Sequence, residues 1–260
     1  MTADVDLDHG ELRLIGRIAE ASNETFLADI DGIRVVYKPS DGERPLWDFP
    51  DRDLANREVA AYLVSEALGW NIVPHTWLRN GPLGSGMVQR WCDVDTAQDA
   101  VDVVPTRQVP DDGWRLVFEG VDENDRPVAL IHEDSAVLRR MAVFDAIVNN
   151  ADRKGGHILA MPDGHRFGVD HGLTFHVEHR LRTVLWGWVG EPLAADELDG
   201  IRRVRASLDD PRGDALAAAL AVLLSPDELV ALAHRCERML ASGRFPGPSG
   251  EMPAMPWPLF

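Results

Sequence analysis

The chain has 260 residues, 45% of them hydrophobic, and its 43 acidic against 26 basic residues give a net charge of −17. A hydrophobic share of this size supports a substantial core, and so negative a chain is repelled by the phosphates of nucleic acids and by anionic membrane surfaces. Composition therefore argues against a nucleic-acid partner.

Residues 1–95 are predicted to form a sheet-rich unit. Apolar and polar residues alternate in five short runs, and Asp31-Gly32 is a hairpin turn signal between the second and third. Apolar residues at spacings of three and four predict a helix over residues 52–68, which stops at Gly69. The predicted strands are residues 12–16, 25–30, 33–38, 73–78 and 86–91.

Residues 96–245 are predicted to form a larger, mainly helical unit, and residues 93–110 are expected to connect the two units. Apolar spacing predicts a buried helix over residues 135–149. The Pro-rich residues 246–260 are expected to be an irregular tail. The other predicted elements are strands 114–119 and 127–132, two short strands that flank Pro162-Asp163-Gly164, and helices 212–224 and 226–241.

Nothing in the sequence indicates a membrane or secretory segment. No stretch approaches the ~20 consecutive apolar residues of a membrane helix, and the acidic start of the chain lacks the basic residues of a secretory signal. Cys92 and Cys236 are the only cysteines, too few for a disulfide framework or a cysteine metal knuckle. We expect a soluble cytoplasmic protein with reduced thiols and no stable membrane anchor.

Lysine is almost absent from the sequence, which has 24 arginines and two lysines, Lys38 and Lys154. A compact ammonium approaches a phosphate as a point charge, which a planar guanidinium does less well. The two lysines are therefore candidates for a phosphate site, and two ordinary surface lysines are the alternative.

Candidate catalytic residues cluster in the loop after the predicted helix 135–149. Asp152, Lys154 and His157 lie in that loop, and Asp170 ends a strand that follows it. Phosphoryl transfer from ATP needs a cation near the phosphates, a carboxylate that receives the hydroxyl proton, and ligands for a metal ion. The loop and the strand end offer each of these groups, and ordinary turn or cap positions are the alternative for each Asp.

The hypothesis gives each residue a role. Asp152 is the catalytic base, Lys154 faces the transferred phosphoryl group, and Asp170 holds the metal ion. Lys38 holds the phosphates that are not transferred, and Glu58 on the helix 52–68 positions Lys38 through an ion pair. A solvated helix position is the alternative for Glu58.

Five groups of motifs follow one another between residues 12 and 200. They are Val36-Tyr37-Lys38-Pro39 with Glu43-Arg44-Pro45, Arg57-Glu58-Val59-Ala60-Ala61-Tyr62 with Val73-Pro74-His75-Thr76, Asn150-Ala151-Asp152-Arg153, Val169-Asp170-His171-Gly172-Leu173-Thr174-Phe175, and Trp186-Gly187-Trp188. In this order, the motifs resemble the phosphatidylinositol 3- and 4-kinase superfamily, and type II phosphatidylinositol 4-kinases most closely. The Arg-rich, Lys-poor composition fits a high-GC genome and indicates an actinobacterial branch of it.

The resemblance implies a two-lobed, protein-kinase-like α+β fold of the phosphatidylinositol kinase type. Residues 1–95 are then the nucleotide-binding lobe and residues 96–245 the catalytic lobe. ATP and Mg²⁺ or Mn²⁺ are expected between the two lobes.

The resemblance also suggests residues for the nucleotide. It places Gln89, Trp91 and Cys92 on the strand that meets adenine, and a packed thiol is the alternative for Cys92. Ser22 and Asn23 are candidates for hydrogen bonds to the phosphates, and a polar hairpin tip without function is the alternative.

One departure from the superfamily pattern concerns the metal site. The superfamily has Asn as a second metal ligand five residues after the catalytic Asp, and here that position is His157. Imidazole favours borderline metals over magnesium, so we expect Mn²⁺ to serve at least as well as Mg²⁺. A hydrogen-bonding role is the alternative for His157.

The motifs leave the phosphate acceptor open. The resemblance favours an inositol-type acceptor, lipid or soluble, and residues 176–182, which follow the metal-binding Asp and carry a modest charge, are the segment that would meet an anionic headgroup. Lys154, two residues after Asp152, resembles instead the catalytic loop of Ser/Thr protein kinases, so a protein hydroxyl is the second possibility. Two other functions are an ATP-binding pseudokinase that acts as a regulatory module and a structural protein without nucleotide.

Overall fold

A computed structural model describes residues 6–18, 23–43, 49, 54–209, 213–250 and 253–260. The described residues form helices and antiparallel sheets, so the predicted mixed α+β composition is confirmed. The strands are β1 (Leu12–Arg17), β2 (Phe26–Ile30), β3 (Ile33–Pro39), β4 (Thr76–Gly81), β5 (Gly84–Arg90), β6 (Val101–Pro105), β7 (Trp114–Val121), β8 (Pro127–Glu133), β9 (Ile158–Ala160) and β10 (Arg166–Gly168). The α-helices are α1 (Leu54–Leu68), α2 (Ala136–Val148), α3 (Ala195–Asp209), α4 (Ala215–Leu223) and α5 (Pro226–Ser242).

The first sheet has the strand order β1-β2-β3-β5-β4, and all of its pairs are antiparallel. Side chains alternate between the two faces of a strand, so Tyr37 and Lys38 point in opposite directions. Tyr37 lies in an apolar cluster with Val35 and Trp77. Lys38 pairs in register with Met87, whose side chain packs against α1. The sheet thus directs Lys38 towards α1.

Helix α1 lies between this sheet and the helical part of the chain. Ala55 and Val59 pack against the sheet, whereas Val64 and Leu68 belong to the main core. Glu43 accepts hydrogen bonds from the amides of Leu54 and Ala55 at 3.1 and 2.8 Å, which satisfies two free N–H groups at the helix start. Two sides of α1 are therefore fixed, and its residues meet both parts of the fold.

The second sheet corrects one prediction. Residues 93–110 were expected to be only a connection, but residues 101–105 form β6, which pairs with β8 in a sheet of order β6-β8-β7. The partner strand is β8, about 30 residues later, so no local turn signal marks the pairing. The predicted hairpin of β7 and β8 is confirmed. Strand β4 begins three residues later than predicted.

The predicted helices of the second half are confirmed with small changes. Helix α2 begins after Ser135, whose hydroxyl accepts the amide of Leu138, and ends at Asn149, which has a positive φ of 57°. Helix α5 begins with a capping box of Ser225 and Glu228. Helix α3 was not separately predicted. Within the described residues, no helix combines the length and apolarity needed to cross a membrane.

Candidate active site

A cleft of about 340 Å³ opens where the first sheet, α1 and the loop after α2 meet. Ligand sites commonly have volumes of about 300–1,000 Å³, so the cleft can hold a small molecule. Five predicted site residues line it: Asn23, Lys38, Glu58, Asp152 and Asp170. Their sequence positions are far apart, and the fold brings them together.

Lys38 lies between two carboxylates. Its Nζ donates to Glu58 Oε1 at 2.7 Å and to Asp170 Oδ1 at 2.9 Å. Glu58 is almost fully buried, and its second oxygen accepts the backbone amide of His171 at 2.9 Å. Glu58 therefore joins β3 to the segment that carries Asp170. The contacts fit the predicted ion pair, while the binding role of Lys38 stays a prediction.

The charges of this cluster reinforce one another. The Lys38 ammonium holds the pKa of Asp170 well below its ordinary value. Burial would lower the pKa of Lys38, but the carboxylates of Asp170 and Glu58 outweigh burial and raise it. Both groups are therefore charged at neutral pH. Asp170 also has a positive φ of 61°, a backbone conformation that is sparsely populated outside glycine and occurs at functional sites.

Asp152 and Lys154 form a second ion pair, in the loop that follows α2. Lys154 Nζ lies 3.1 Å from Asp152 Oδ2, and both side chains are mostly buried. Burial raises the pKa of Asp152, and the neighbouring Lys154 opposes this effect. A carboxylate with a raised pKa is a better proton acceptor than an ordinary Asp.

His157 lies between the backbone of Asp152 and the carboxylate of Asp170. Its Nδ1 lies 2.9 Å from the backbone carbonyl of Asp152, and a carbonyl can only accept, so Nδ1 carries the proton. Burial lowers the pKa of His157, which leaves the ring neutral with a free lone pair on Nε2. Nε2 lies 3.4 Å from Asp170 Oδ2.

These two atoms fit a divalent cation. Two neighbouring ligands of an octahedral metal lie about 3 Å apart when each is about 2.1 Å from the ion. In the described part of the chain, no cluster of three or more His, Cys, Asp or Glu side chains could hold a metal ion. Mg²⁺ at phosphate sites takes one or two protein ligands and fills its other positions with phosphate and water, and the pair fits this pattern.

A buried ionic network, which was not predicted from the sequence, holds the loop after α2. The side chain of Arg153 is fully buried and forms two hydrogen bonds of 2.9 Å with Asp145. Its guanidinium also donates to the carbonyls of His157 and Val169 and, at 2.7 Å, to His171 Nε2. The available signal was Asp145, a carboxylate on the apolar face of a predicted helix, because such a residue needs a buried partner.

Other predicted residues lie away from Lys38 and Asp170. Gln89 donates to Thr76 Oγ1 at 2.9 Å, and Trp91 donates from Nε1 to Asp93 at 3.2 Å. Burial raises the pKa of Cys92 to about 11, which suits a packed thiol. Contact of these three residues with adenine stays a prediction. Ser22 lies outside the described residues.

The last residues of the irregular C-terminal tail contact Gly155, in the loop after α2. The carbonyl of Leu259 accepts the amide of Gly155 at 2.8 Å, and the ring of Phe260 lies against the same glycine. The carbonyl of Ala254 accepts the indole N–H of Trp186 at 2.8 Å. The tail was expected to be irregular, and its contact with Gly155 was not predicted.

Comparison with known proteins gives one substantial match. The chain is 49% identical over 267 residues to Protein Rv2133c of Mycobacterium tuberculosis, and the match covers 98% of this chain and 94% of that protein. No protein-family model matches the chain. The crystal structure of a Helicobacter pylori proinflammatory kinase, CtkA, aligns with 89% of this chain and 97% of its own, at 12% identity and a TM-score of 0.43. A likeness at that level is too low to carry a conclusion about this chain.

Proposed function

The chain belongs to the family of Protein Rv2133c from Mycobacterium tuberculosis, and we propose that it is a kinase-type phosphotransferase. It transfers the γ-phosphate of ATP to a hydroxyl of an inositol-type or protein acceptor. Its fold is the two-lobed fold of phosphatidylinositol kinases, with ATP in the cleft between the first sheet and the helical part.

One observation carries the proposal: the Lys38 ammonium is held between Glu58 and Asp170 at the edge of the cleft. An ammonium has three N–H donors, and two of them are used by these carboxylates. The position of Lys38 is thus fixed before any ligand binds, and its positive charge faces a space of suitable size. This is what a site for polyphosphate needs, because catalysis of phosphoryl transfer depends on positioning and charge neutralisation.

Asp152 and Lys154 act on the acceptor. Asp152 takes the proton of the acceptor hydroxyl as the hydroxyl oxygen bonds to the γ-phosphorus and the bond from that phosphorus to the ADP oxygen breaks. The raised pKa of Asp152 favours this transfer. Lys154, 3.1 Å from Asp152, faces the transferred group and balances its negative charge.

The proposed metal site lies at Asp170 and His157. Mg²⁺ or Mn²⁺ would be held by Asp170 Oδ2 and His157 Nε2 and would neutralise charge on the phosphates. Arg153 keeps both ligands in place because its guanidinium binds the carbonyls of His157 and Val169, the latter next to Asp170.

An ATP-binding pseudokinase is the second candidate. It is favoured by the ion pair of Lys154 with Asp152, which occupies the proposed base, and by His157 at the position where the superfamily has Asn. In a pseudokinase, nucleotide and metal bind but no phosphoryl group is transferred.

Titration of ATP with Mg²⁺ or Mn²⁺ separates these functions. We expect binding by the wild type, severe loss in Lys38→Met and Asp170→Ala, and no change in Asp163→Ala, which removes an exposed Asp from the turn between β9 and β10. Radiolabelled ATP is then incubated with the wild type and Asp152→Asn in the presence of inositol lipids and proteins. Transfer by the wild type alone supports the kinase, binding without transfer supports the pseudokinase, and absence of binding refutes both.

A further inference from the structure

A second groove lies on the helical side of the chain, between residues 177–181 and helix α5. It has a volume of about 470 Å³, and a cavity of about 260 Å³ beside it shares four of its lining residues: His179, Arg235, Arg238 and Pro246. We call the two spaces the arginine groove. No Asp or Glu is among the described residues that line it. This is unusual for a chain with 43 acidic and 26 basic residues.

Arg235 is the buried part of the arginine groove. The residue is only 5% exposed. Its Nε donates to the carbonyl of Ile147 at 2.7 Å, and its NH1 donates to the carbonyl of His176 at 3.2 Å. Its third nitrogen, NH2, is buried and has no acceptor among the described residues. Burial, together with the charge of Arg238, lowers the pKa of Arg235 to about 10. A buried donor without an acceptor is costly, and this donor belongs to a cation, so the site favours an anion.

Three acidic side chains on the elements that form the arginine groove are paired with other cations. On α5, Glu228 forms an ion pair with Arg57 and Glu237 forms one with Arg205. On the other wall, Glu178 pairs with Arg180. None of these three carboxylates forms an ion pair with Arg235 or Arg238.

The arginine groove adjoins the catalytic loop through Asn149. The Asn149 side chain donates to the carbonyls of His176 and Glu178 and accepts the amide of Arg180, which fixes the groove wall against the end of α2. The next residues of the chain form the loop that carries Asp152. A molecule in the arginine groove would thus contact a wall that Asn149 ties to the start of this loop.

Resting on the proposed function, we propose that the arginine groove binds a phosphate monoester group that the acceptor already carries. Guanidinium groups bind phosphate through paired, charge-assisted hydrogen bonds. Arg235 and Arg238 each supply one guanidinium group to the arginine groove. The acceptor is then a phosphate-bearing alcohol, such as an inositol phosphate, free or as a lipid headgroup, and not an unmodified Ser or Thr side chain.

Arg238 separates a binding role from a structural one. Arg235 also binds carbonyls near the end of α2, so its loss would disturb the fold. Arg238 is exposed and has no hydrogen bond or ion pair among the described residues. Arg107 is a matched control, because it is likewise exposed and lies after β6, more than a hundred residues from α5 in the sequence.

The test is calorimetric titration of inorganic phosphate and of inositol 1-phosphate into the wild type, Arg238→Ala and Arg107→Ala. A non-hydrolysable ATP analogue with metal is present, so that phosphate does not enter the first cleft. We expect the Kd to rise about tenfold in Arg238→Ala, the usual weight of one charge-assisted hydrogen bond, and to stay unchanged in Arg107→Ala. Binding to vesicles with phosphatidylinositol 4-phosphate, compared with the soluble probe, tells a lipid acceptor from a soluble one.

The proposal is overturned by equal affinity of the wild type and Arg238→Ala for every phosphate probe. It is also overturned if the wild type binds vesicles with phosphatidylinositol 4-phosphate and vesicles whose only anionic lipid is phosphatidylserine equally tightly. Binding to inositol 1-phosphate without binding to either kind of vesicle indicates a soluble acceptor. The proposed function is tested apart from this, by metal-dependent ATP binding of Lys38→Met and Asp170→Ala. Arg238→Ala that keeps ATP binding and loses inositol 1-phosphate binding supports the groove. Loss of ATP binding by the wild type would refute the kinase and leave the phosphate titrations as an independent result.

Discussion

Arg153 and Asp145 form a bidentate ion pair in which both side chains are fully buried. Asp145 is on α2, and Arg153 is in the loop that follows α2 and carries Asp152. The remaining nitrogen of the guanidinium, NH1, donates to the carbonyls of His157 and Val169. One ionic contact therefore fixes the loop with the proposed base and the strand that leads to the proposed metal ligand.

We expect Arg153→Met to lower the free energy of unfolding by about 3–5 kcal/mol, because it leaves the Asp145 carboxylate buried without a counter-charge. Chemical denaturation measures this. Arg140→Met is the control, since it breaks the exposed pair of Arg140 with Asp196 and should cost about 0–1 kcal/mol. Equal effects of the two substitutions would show that the buried pair does not hold the loop.

The stability of the protein should fall between pH 7 and pH 5, partly because of His132. This residue is fully buried, its Nε2 accepts the amide of Gly187, and burial lowers its pKa from 6.5 to about 4. In this range the unfolded chain binds a proton that the folded chain does not, so the contribution of His132 is present above pH 6.5 and is lost towards pH 4. We expect a loss of about 2 kcal/mol between pH 7 and pH 5 from this residue.

His132→Asn gives the comparison, since Asn does not titrate in this range. Unfolding free energies of the wild type and of His132→Asn are measured at both pH values, and the difference between the two pH effects isolates His132. The same pH effect in both proteins would mean that the imidazole is protonated in the fold or is not buried in solution.

The tail contact predicts a coupling between Gly155 and Phe260. A Cβ on Gly155 would lie 2.5 Å from a ring carbon of Phe260, so Gly155→Ala must displace the ring. We expect Gly155→Ala to cost about 1 kcal/mol in the wild type and close to nothing in Phe260→Ala. A double-mutant cycle of unfolding free energies measures the coupling. An identical cost in both backgrounds would show that the tail does not pack on the loop.

Metal preference should depend on His157. Replacing its nitrogen ligand with an amide oxygen in His157→Asn favours Mg²⁺, which prefers oxygen ligands. We expect the ratio of ATP affinities with Mn²⁺ and Mg²⁺ to shift several-fold towards Mg²⁺. His165→Asn, at a half-buried ring next to β10, away from the proposed metal ligands in sequence, is the control. An unchanged ratio would leave His157 with a hydrogen-bonding role only.

Much of the local structure follows from the sequence. Strands β1 to β3, the hairpin turn at Asp31-Gly32, and helices α1, α2 and α5 are visible as periodic patterns with their turn and cap residues. Strand β6 was missed because its partner is distant in the chain. The interaction of Gln89 with Thr76 was missed because it depends on two strands that meet side by side.

By itself, the sequence determined most of the helices and strands, β6 and α3 excepted, since hydrophobic period and turn chemistry act over a few residues. It also placed Asp152, Lys154 and His157 on one loop. Only the tertiary structure decided that Lys38 contacts Asp170, 132 residues later, and that Arg153 and Asp145 form a fully buried ion pair. The reason is physical: burial and ion pairing depend on which distant segments pack together, and no local pattern encodes that.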